Sequence, residues 1–165
     1  MVKHKEVMVT FSEFPKEVAL CINISGCPNH CEGCHSAYLA ENTGDDLTID
    51  ELKKLIDKNF GITCVGFMGG DQEPSYINEL AKYVKLNYLG MKVGWYSGKE
   101  ELSKDINLAN FDYVKFGPYI ASKGPLNSST TNQRFYEFKP YSSVWTIGPG
   151  WEDTTEQFWK HDRNS

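Results

Sequence analysis

Four stretches of the chain are apolar almost without interruption, or alternate apolar with polar: residues 18–24 (V-A-L-C-I-N-I), 62–68 (I-T-C-V-G-F-M), 91–96 (M-K-V-G-W-Y) and 111–116 (F-D-Y-V-K-F). Short runs of this kind are the mark of strands buried in a sheet. Between them the period changes. Thr48 and Glu51 have the spacing of a capping box, and Leu52, Leu55 and Ile56 then fall on one helical face. Pro74 opens a second helical stretch, in which Ile77, Leu80, Ala81 and Val84 recur at helical spacing and Gly90 follows as a stop. A third helix is predicted over 99–108. Residues 6–11 and 142–147 read as additional edge strands. Residues 117–132, rich in Gly, Pro, Ser, Thr and Asn, read as a long surface loop.

Strand and helix in alternation imply an α/β fold with crossover helices. The chain has 165 residues, well short of the about 250 of a closed eightfold barrel. The expected architecture is therefore a partial, open (βα) barrel or open sheet with mostly parallel strands, built as one domain over 1–165. An open edge leaves room for a protein substrate. The composition, 40% hydrophobic and 13% aromatic, suffices for a core.

A formal charge of −5 speaks against a general affinity for nucleic acid, which needs a surplus of Lys and Arg on one face. No run approaches the about 18 apolar residues of a membrane span. The first ten residues lack the apolar core of a secretory signal, so the expectation is a cytoplasmic protein with no membrane partner.

Chemistry enters with the cysteines. There are five, and three of them, Cys27, Cys31 and Cys34, form C-x3-C-x2-C directly after the first predicted strand. A loop leaving the carboxyl end of a strand is where α/β folds place their sites, and three thiolates on one short loop converge on a single metal centre. Three is the informative count, because a four-iron cube held by three cysteines keeps one iron open for a substrate. The competing reading is zinc held by these cysteines with His30 or His35, although zinc knuckles normally show two separated ligand pairs and no second pair exists here. Cys21 and Cys64 lie within apolar runs and read as small hydrophobes. His4, His30, His35 and His161 read as solvent-facing or loop residues. Gly69-Gly70 closes the second strand, where the absence of side chains lets backbone carbonyls approach a ligand; the alternative is a plain strand-to-helix turn. Ser97-Gly98 closes the third, with hydroxyl and amide donors.

With these motifs in order, the sequence resembles the radical S-adenosylmethionine enzymes, whose signature is C-x3-C-x2-C after the first strand. Among them it is most similar to the activating proteins of anaerobic ribonucleotide reductases. The resemblance runs from about Cys27 to Arg134: G-C-x-x-x-C-x-G-C at Gly26 to Cys34, G-G-D at Gly69-Gly70-Asp71, a W-[TS]-G-like turn at Trp95-Tyr96-Ser97-Gly98, G-P-Y at Gly117-Pro118-Tyr119, and N-Q-R at Asn132-Gln133-Arg134. Departures are Gln72-Glu73 before Pro74, so that Asp71 and Glu73 compete for the acidic role, and Phe116 in place of an acidic residue before Gly117. Asn127-Ser128-Ser129 replaces a more basic stretch, and nothing after Arg134 matches.

The resemblance implies a radical S-adenosylmethionine type of partial barrel. It implies a [4Fe–4S] cluster on Cys27, Cys31 and Cys34, and S-adenosylmethionine bound near Gly33, Gly69, Gly70, Asp71 and Ser97. It implies reductive cleavage to methionine and a 5′-deoxyadenosyl radical, with no further catalytic side chain. The partners it implies are a glycyl-radical protein, the large subunit of an anaerobic ribonucleotide reductase, and an electron donor such as flavodoxin. Alternatives are another glycyl-radical enzyme, a peptide or a small molecule as target, or a zinc-binding interaction module without catalysis.

Overall fold

The computed structural model describes residues 1–26 and 43–159. In chain order its strands are β1 (Lys3–Thr10), β2 (Ala19–Ile24), β3 (Asp45–Asp46), β4 (Cys64–Met68), β5 (Lys92–Tyr96), β6 (Tyr113–Phe116), β7 (Arg134–Phe138) and β8 (Trp151–Asp153). Helix α1 (Ile49–Lys58) follows β3, and α2 (Pro74–Asn87) follows β4. The strands form one eight-stranded sheet in the order β3-β1-β2-β4-β5-β6-β7-β8.

The four strands expected from the apolar runs are β2, β4, β5 and β6, each beginning one or two residues later than the run. They are parallel neighbours in register Leu20↔Val65, Val65↔Val93 and Gly94↔Tyr113. On either side β1 and β7 join antiparallel, with β3 and β8 outside them. The parallel arrangement thus describes the centre of the sheet and not its flanks. Parallel neighbours need a long crossover, whereas antiparallel neighbours need only a turn or loop, and the connections between β1 and β2 and between β7 and β8 carry no helix.

Both helices form for the reasons their sequences give. Thr48 Oγ1 accepts the Glu51 amide at 3.0 Å and caps α1. The Glu51 carboxylate reaches towards His4 instead, 3.6 Å from Nε2. Pro74 sits in the first turn of α2, which buries Ile77, Leu80, Ala81 and Val84 completely. Each fully buried aliphatic contributes about 1.5–3 kcal/mol, so docking of this stripe outweighs the few tenths that helix surface pairs supply.

Three expectations are corrected. Residues 99–108 form turns followed by a short 3-10 turn at Leu108–Asn110, not a helix. Short polar side chains there capture the backbone amides: Ser97 Oγ accepts from Lys99 N, Ser103 Oγ from Asp105 N, and Asn107 Oδ1 from Ala109 N. Residues 142–147 are not a strand; Trp145 makes only an isolated bridge to Pro149, and the late strands are β7 and β8. His4 is not solvent-facing but 5% exposed on β1.

The two faces of the sheet are packed differently. One carries the main core: Leu20, Ile22, Val65, Phe67, Val93, Trp95 and Val114 meet the buried stripes of α1 and α2. On the other, a smaller cluster gathers Ala19, Cys21, Cys64, Tyr113 and Phe135 around Phe14, which comes from the connection between β1 and β2 and is fully buried. Gly66 and Gly94, paired in register on β4 and β5, form the hollow for this ring. A Cβ at either would stand 2.3 or 2.1 Å from a Phe14 ring carbon.

Candidate metal centre and the strand ends around it

Cys27, Cys31, Gly33 and Cys34, with His30, His35 and His161, lie outside the described residues. The frame from which the cysteine segment departs is described. β2 ends at Ile24, and Ser25 is fully buried behind it. The Ser25 hydroxyl lies 2.5 Å from the Thr43 carbonyl oxygen and 3.2 Å from that of Lys3, and its amide donates to Lys3 O at 2.9 Å. Gln72 Nε2 donates to the Ser25 carbonyl at 2.7 Å. Ser25 and Thr43, which flank residues 27–42, therefore meet at the carboxyl end of β2, with Ser25 tied to the loop that follows β4.

The structure brings Gly69, Gly70, Asp71 and Ser97 together at the neighbouring strand ends. Gly69 donates to Tyr96 O at 3.0 Å and accepts the Trp95 indole N–H at 2.7 Å. Gly70 accepts from Glu73 N at 3.0 Å and has φ +97; a Cβ there would meet Ile77 Cδ1 at 2.5 Å, so turn geometry and helix packing both require glycine. The Asp71 carboxylate accepts Ser97 Oγ–H at 2.5 Å and Gly98 N–H at 2.8 Å, clasping the loop after β4 to the turn after β5. Glu73, the other acidic candidate, points away and pairs with the Met1 amino group at 2.5 Å.

On the Phe14 face, Lys115 lies near the carboxyl end of β6, in the sheet half of the site the sequence did not single out. It is buried, with Nζ 5.3 Å from the centre of the Tyr96 ring and donating to Gly117 O at 3.5 Å. Tyr96 is itself fixed by its hydroxyl, which donates to Glu13 O at 2.5 Å. A lysine on the second half of the run F-D-Y-V-K-F was the available signal for Lys115; the Trp95 strut had its signal in the W-Y-S-G turn.

The two other cysteines are both free and buried. Burial pushes the Cys21 thiol up to about 12, with Glu13 adding to the effect, and raises Cys64 also, with Glu17 second. Both lie within the small cluster around Phe14. The other three, Cys27, Cys31 and Cys34, lie outside the described residues, and three thiols at this spacing are a composition that fits an iron–sulfur cluster.

Two cavities open beside these strand ends. One of about 530 Å³ is lined by Asp71, Trp95 and Ser97, and one of about 500 Å³ by Gly117, Asn132 and Arg134; Glu100 and Glu101 border both. Residues 117–132 form a wall that is bonded to itself: Thr130 Oγ1 donates to Lys123 O at 2.6 Å, Asn132 Nδ2 to Pro118 O at 3.1 Å, and Gln133 Nε2 to Gly117 O at 3.3 Å. Among the described residues no helix is long and apolar enough to cross a membrane.

Comparison with curated proteins and with solved structures gives no match. Residues 17–135 match a family described as a 4Fe-4S single cluster domain, a span that takes in Cys27, Cys31 and Cys34 together with every strand of the parallel centre. The chain belongs to the 4Fe-4S single cluster domain family.

Proposed function

We propose that the chain is a radical S-adenosylmethionine enzyme that generates a glycyl radical on a protein partner, the large subunit of an anaerobic ribonucleotide reductase. The observation that carries this reading is the cysteine count. C-x3-C-x2-C lies within the span matched to the single-cluster family, and the two remaining cysteines are buried in strands. Three thiolates on a four-iron cluster leave one iron open to a small molecule. The parallel centre of the sheet serves, in this proposal, as the wall of a partial, open barrel.

With the cluster and S-adenosylmethionine bound, the chemistry supplied is one-electron cleavage of the sulfonium to methionine and a 5′-deoxyadenosyl radical, which takes a hydrogen atom from a glycine Cα of the partner. The electron comes from a donor such as flavodoxin. The chain's own part is binding, orientation and exclusion of water. Gly33, Gly69 and Gly70 would line the cofactor. Trp95 holds the Gly69 carbonyl, and Asp71 holds Ser97 and Gly98 in place, so these side chains act by fixing the strand ends. Residues 117–132 are assigned to partner contact.

Anaerobic reconstitution with iron and sulfide, followed by dithionite and S-adenosylmethionine, tests the proposal. The expected outcome is a full [4Fe–4S] complement and 5′-deoxyadenosine, both lost in Cys31→Ala, and a glycyl radical by electron paramagnetic resonance when the reductase subunit is added. Stoichiometric zinc, or a full cluster without cleavage, would overturn it.

A further inference from the structure

His4 is the one histidine among the described residues, and its burial is not matched by any bond. The ring is covered, and among the described residues neither Nδ1 nor Nε2 has a hydrogen-bond partner. A fold normally avoids covered polar atoms in that state, because each forfeits its bonds to water and gains none in return. One carboxylate is close: Glu51 Oε1 stands 3.6 Å from Nε2, just beyond hydrogen-bond reach. We propose that His4 and Glu51 form a proton-operated latch, which ties helix α1 to strand β1 when the imidazole is charged and so steadies the joint that flanks residues 27–42. The inference rests on the cluster-domain family of the chain and not on the proposed reaction.

Glu51 has two addresses. In a capping box its carboxylate would turn back to the Thr48 amide. Thr48 keeps its half of that arrangement, Oγ1 accepting from Glu51 N at 3.0 Å, while the Glu51 carboxylate reaches towards His4. A neutral imidazole offers that carboxylate an ordinary hydrogen bond at best. A charged one offers a charge-assisted bond, roughly twice as strong. The proton thus decides whether Glu51 serves its own helix or the strand beside it.

The other charges around the ring bear on the same balance. From β3, Asp45 stands opposite His4 in register and Asp46 opposite Lys3. Helix α1 adds Asp50 beside Glu51. On β1 itself Lys3 and Lys5 flank the histidine, the Met1 amino group is engaged by Glu73, and β2 brings the uncharged Ile24 opposite. Carboxylates outnumber ammonium groups at this corner, the sign that complements an imidazolium.

Position connects the latch to the cysteine segment. Lys3 O, one residue before His4, accepts the Ser25 amide and hydroxyl. On the other flank Gly44 packs so closely that a Cβ there would meet His4 O at 2.2 Å. Ser25 and the residues around Thr43 therefore lean on the same stretch of β1.

Hydrogen exchange of the full chain, followed by nuclear magnetic resonance at about pH 5.5 and about pH 7.5, brackets the ordinary imidazole value of about 6.5. The amides read are those of Ser25, Leu47 and Leu52, which donate to Lys3 O, Val2 O and Thr48 O. After correction for intrinsic exchange they are expected to be about tenfold better protected at the lower pH, the scale of a hydrogen bond to a charged group. The Tyr88 amide at the far end of α2 should not change. The difference should vanish in Glu51→Gln and in His4→Gln, both of which retain the other three histidines. After reconstitution with iron and sulfide, wild type should lose iron to a chelator more slowly than Glu51→Gln at the lower pH, and at the same rate at the higher. Equal protection at the two pH values, a difference that survives Glu51→Gln, or iron loss indifferent to the variant at both pH values would overturn the latch.

Discussion

The face of the sheet under α1 and α2 and the face under Phe14 solve the same problem by different means. The helical face is covered by two amphipathic stripes, and its strand residues are the usual branched and aromatic ones, from Leu20 to Val114. Among the described residues no α-helix contributes to the Phe14 face. There a single aromatic ring fills a hollow made by Gly66 and Gly94 and touches Tyr96, Tyr113 and Phe135 at ring-centre distances of 5.2, 5.7 and 6.1 Å. Distributed packing tolerates the loss of one contact, whereas a single plug concentrates the energy of a whole face in one residue. The same face carries Cys21, Cys64 and Lys115.

The largest effect should come from removing the plug. Phe14→Ala is expected to cost about 3–5 kcal/mol in urea unfolding, and Leu80→Ala on the helical face about 2–5. The comparison sharpens if the Leu80 cavity proves the cheaper because neighbouring helix residues relax into it. It breaks if Phe14→Ala costs less than about 1 kcal/mol.

Next in size is overpacking of the hollow. Gly94→Ala places a methyl 2.1 Å from Phe14 Cε1 and should cost about 1–3 kcal/mol. In the Phe14→Ala background the same change should be close to neutral. Additive costs in this double-mutant cycle would show that Gly94 is glycine for another reason.

A smaller effect is expected where the helical face reaches the candidate site. Trp95→Phe keeps the packing but leaves the Gly69 carbonyl without the indole donor, at about 1 kcal/mol. Under the proposed function it should also weaken S-adenosylmethionine binding by calorimetry while iron content stays unchanged. Unaltered cofactor affinity would confine Trp95 to the core.

The smallest effect is a matter of pH. The Cys21 thiol is raised from its ordinary 9.0 to about 12 by burial. The folded state therefore favours the neutral form. That stability is fully present below the unfolded value, is lost as pH rises above about 9 and is exhausted near about 12. Cys21→Ala should flatten the alkaline limb of a melting-temperature profile between those limits. An unchanged slope would mean that Cys21 is solvated.

Local signals explain how much of this could be read from the chain. The parallel centre was legible because strands buried on both faces leave nearly unbroken apolar runs, and α1 and α2 because Thr48 and Pro74 mark their starts within the sequence itself. The helix expected over 99–108 does not form because Ser97, Ser103 and Asn107 take amides that a helix needs. C-x3-C-x2-C was legible because ligand spacing on one loop is a covalent property. The Phe14 hollow was not: it depends on Gly66 standing opposite Gly94, a register set by strand pairing, although a glycine inside each of two apolar runs was its visible trace. Asp71 was placed at the right strand end, but that its carboxylate binds Ser97 and Gly98 follows only from the folded distance.

The hydrogen bond from Ser25 to Thr43 has a consequence for evolution and engineering. Ser25 and Thr43, which flank residues 27–42, are thereby joined at one point of the sheet, with Lys3 and Gln72 holding Ser25. The entropy of closing a chain between two joined points grows only slowly with the number of residues between them, by about 0.6 kcal/mol for each doubling. A change in the number of residues between 26 and 43 is therefore expected to cost the fold little, so that a new cysteine spacing could be tried there without rebuilding the strands beneath.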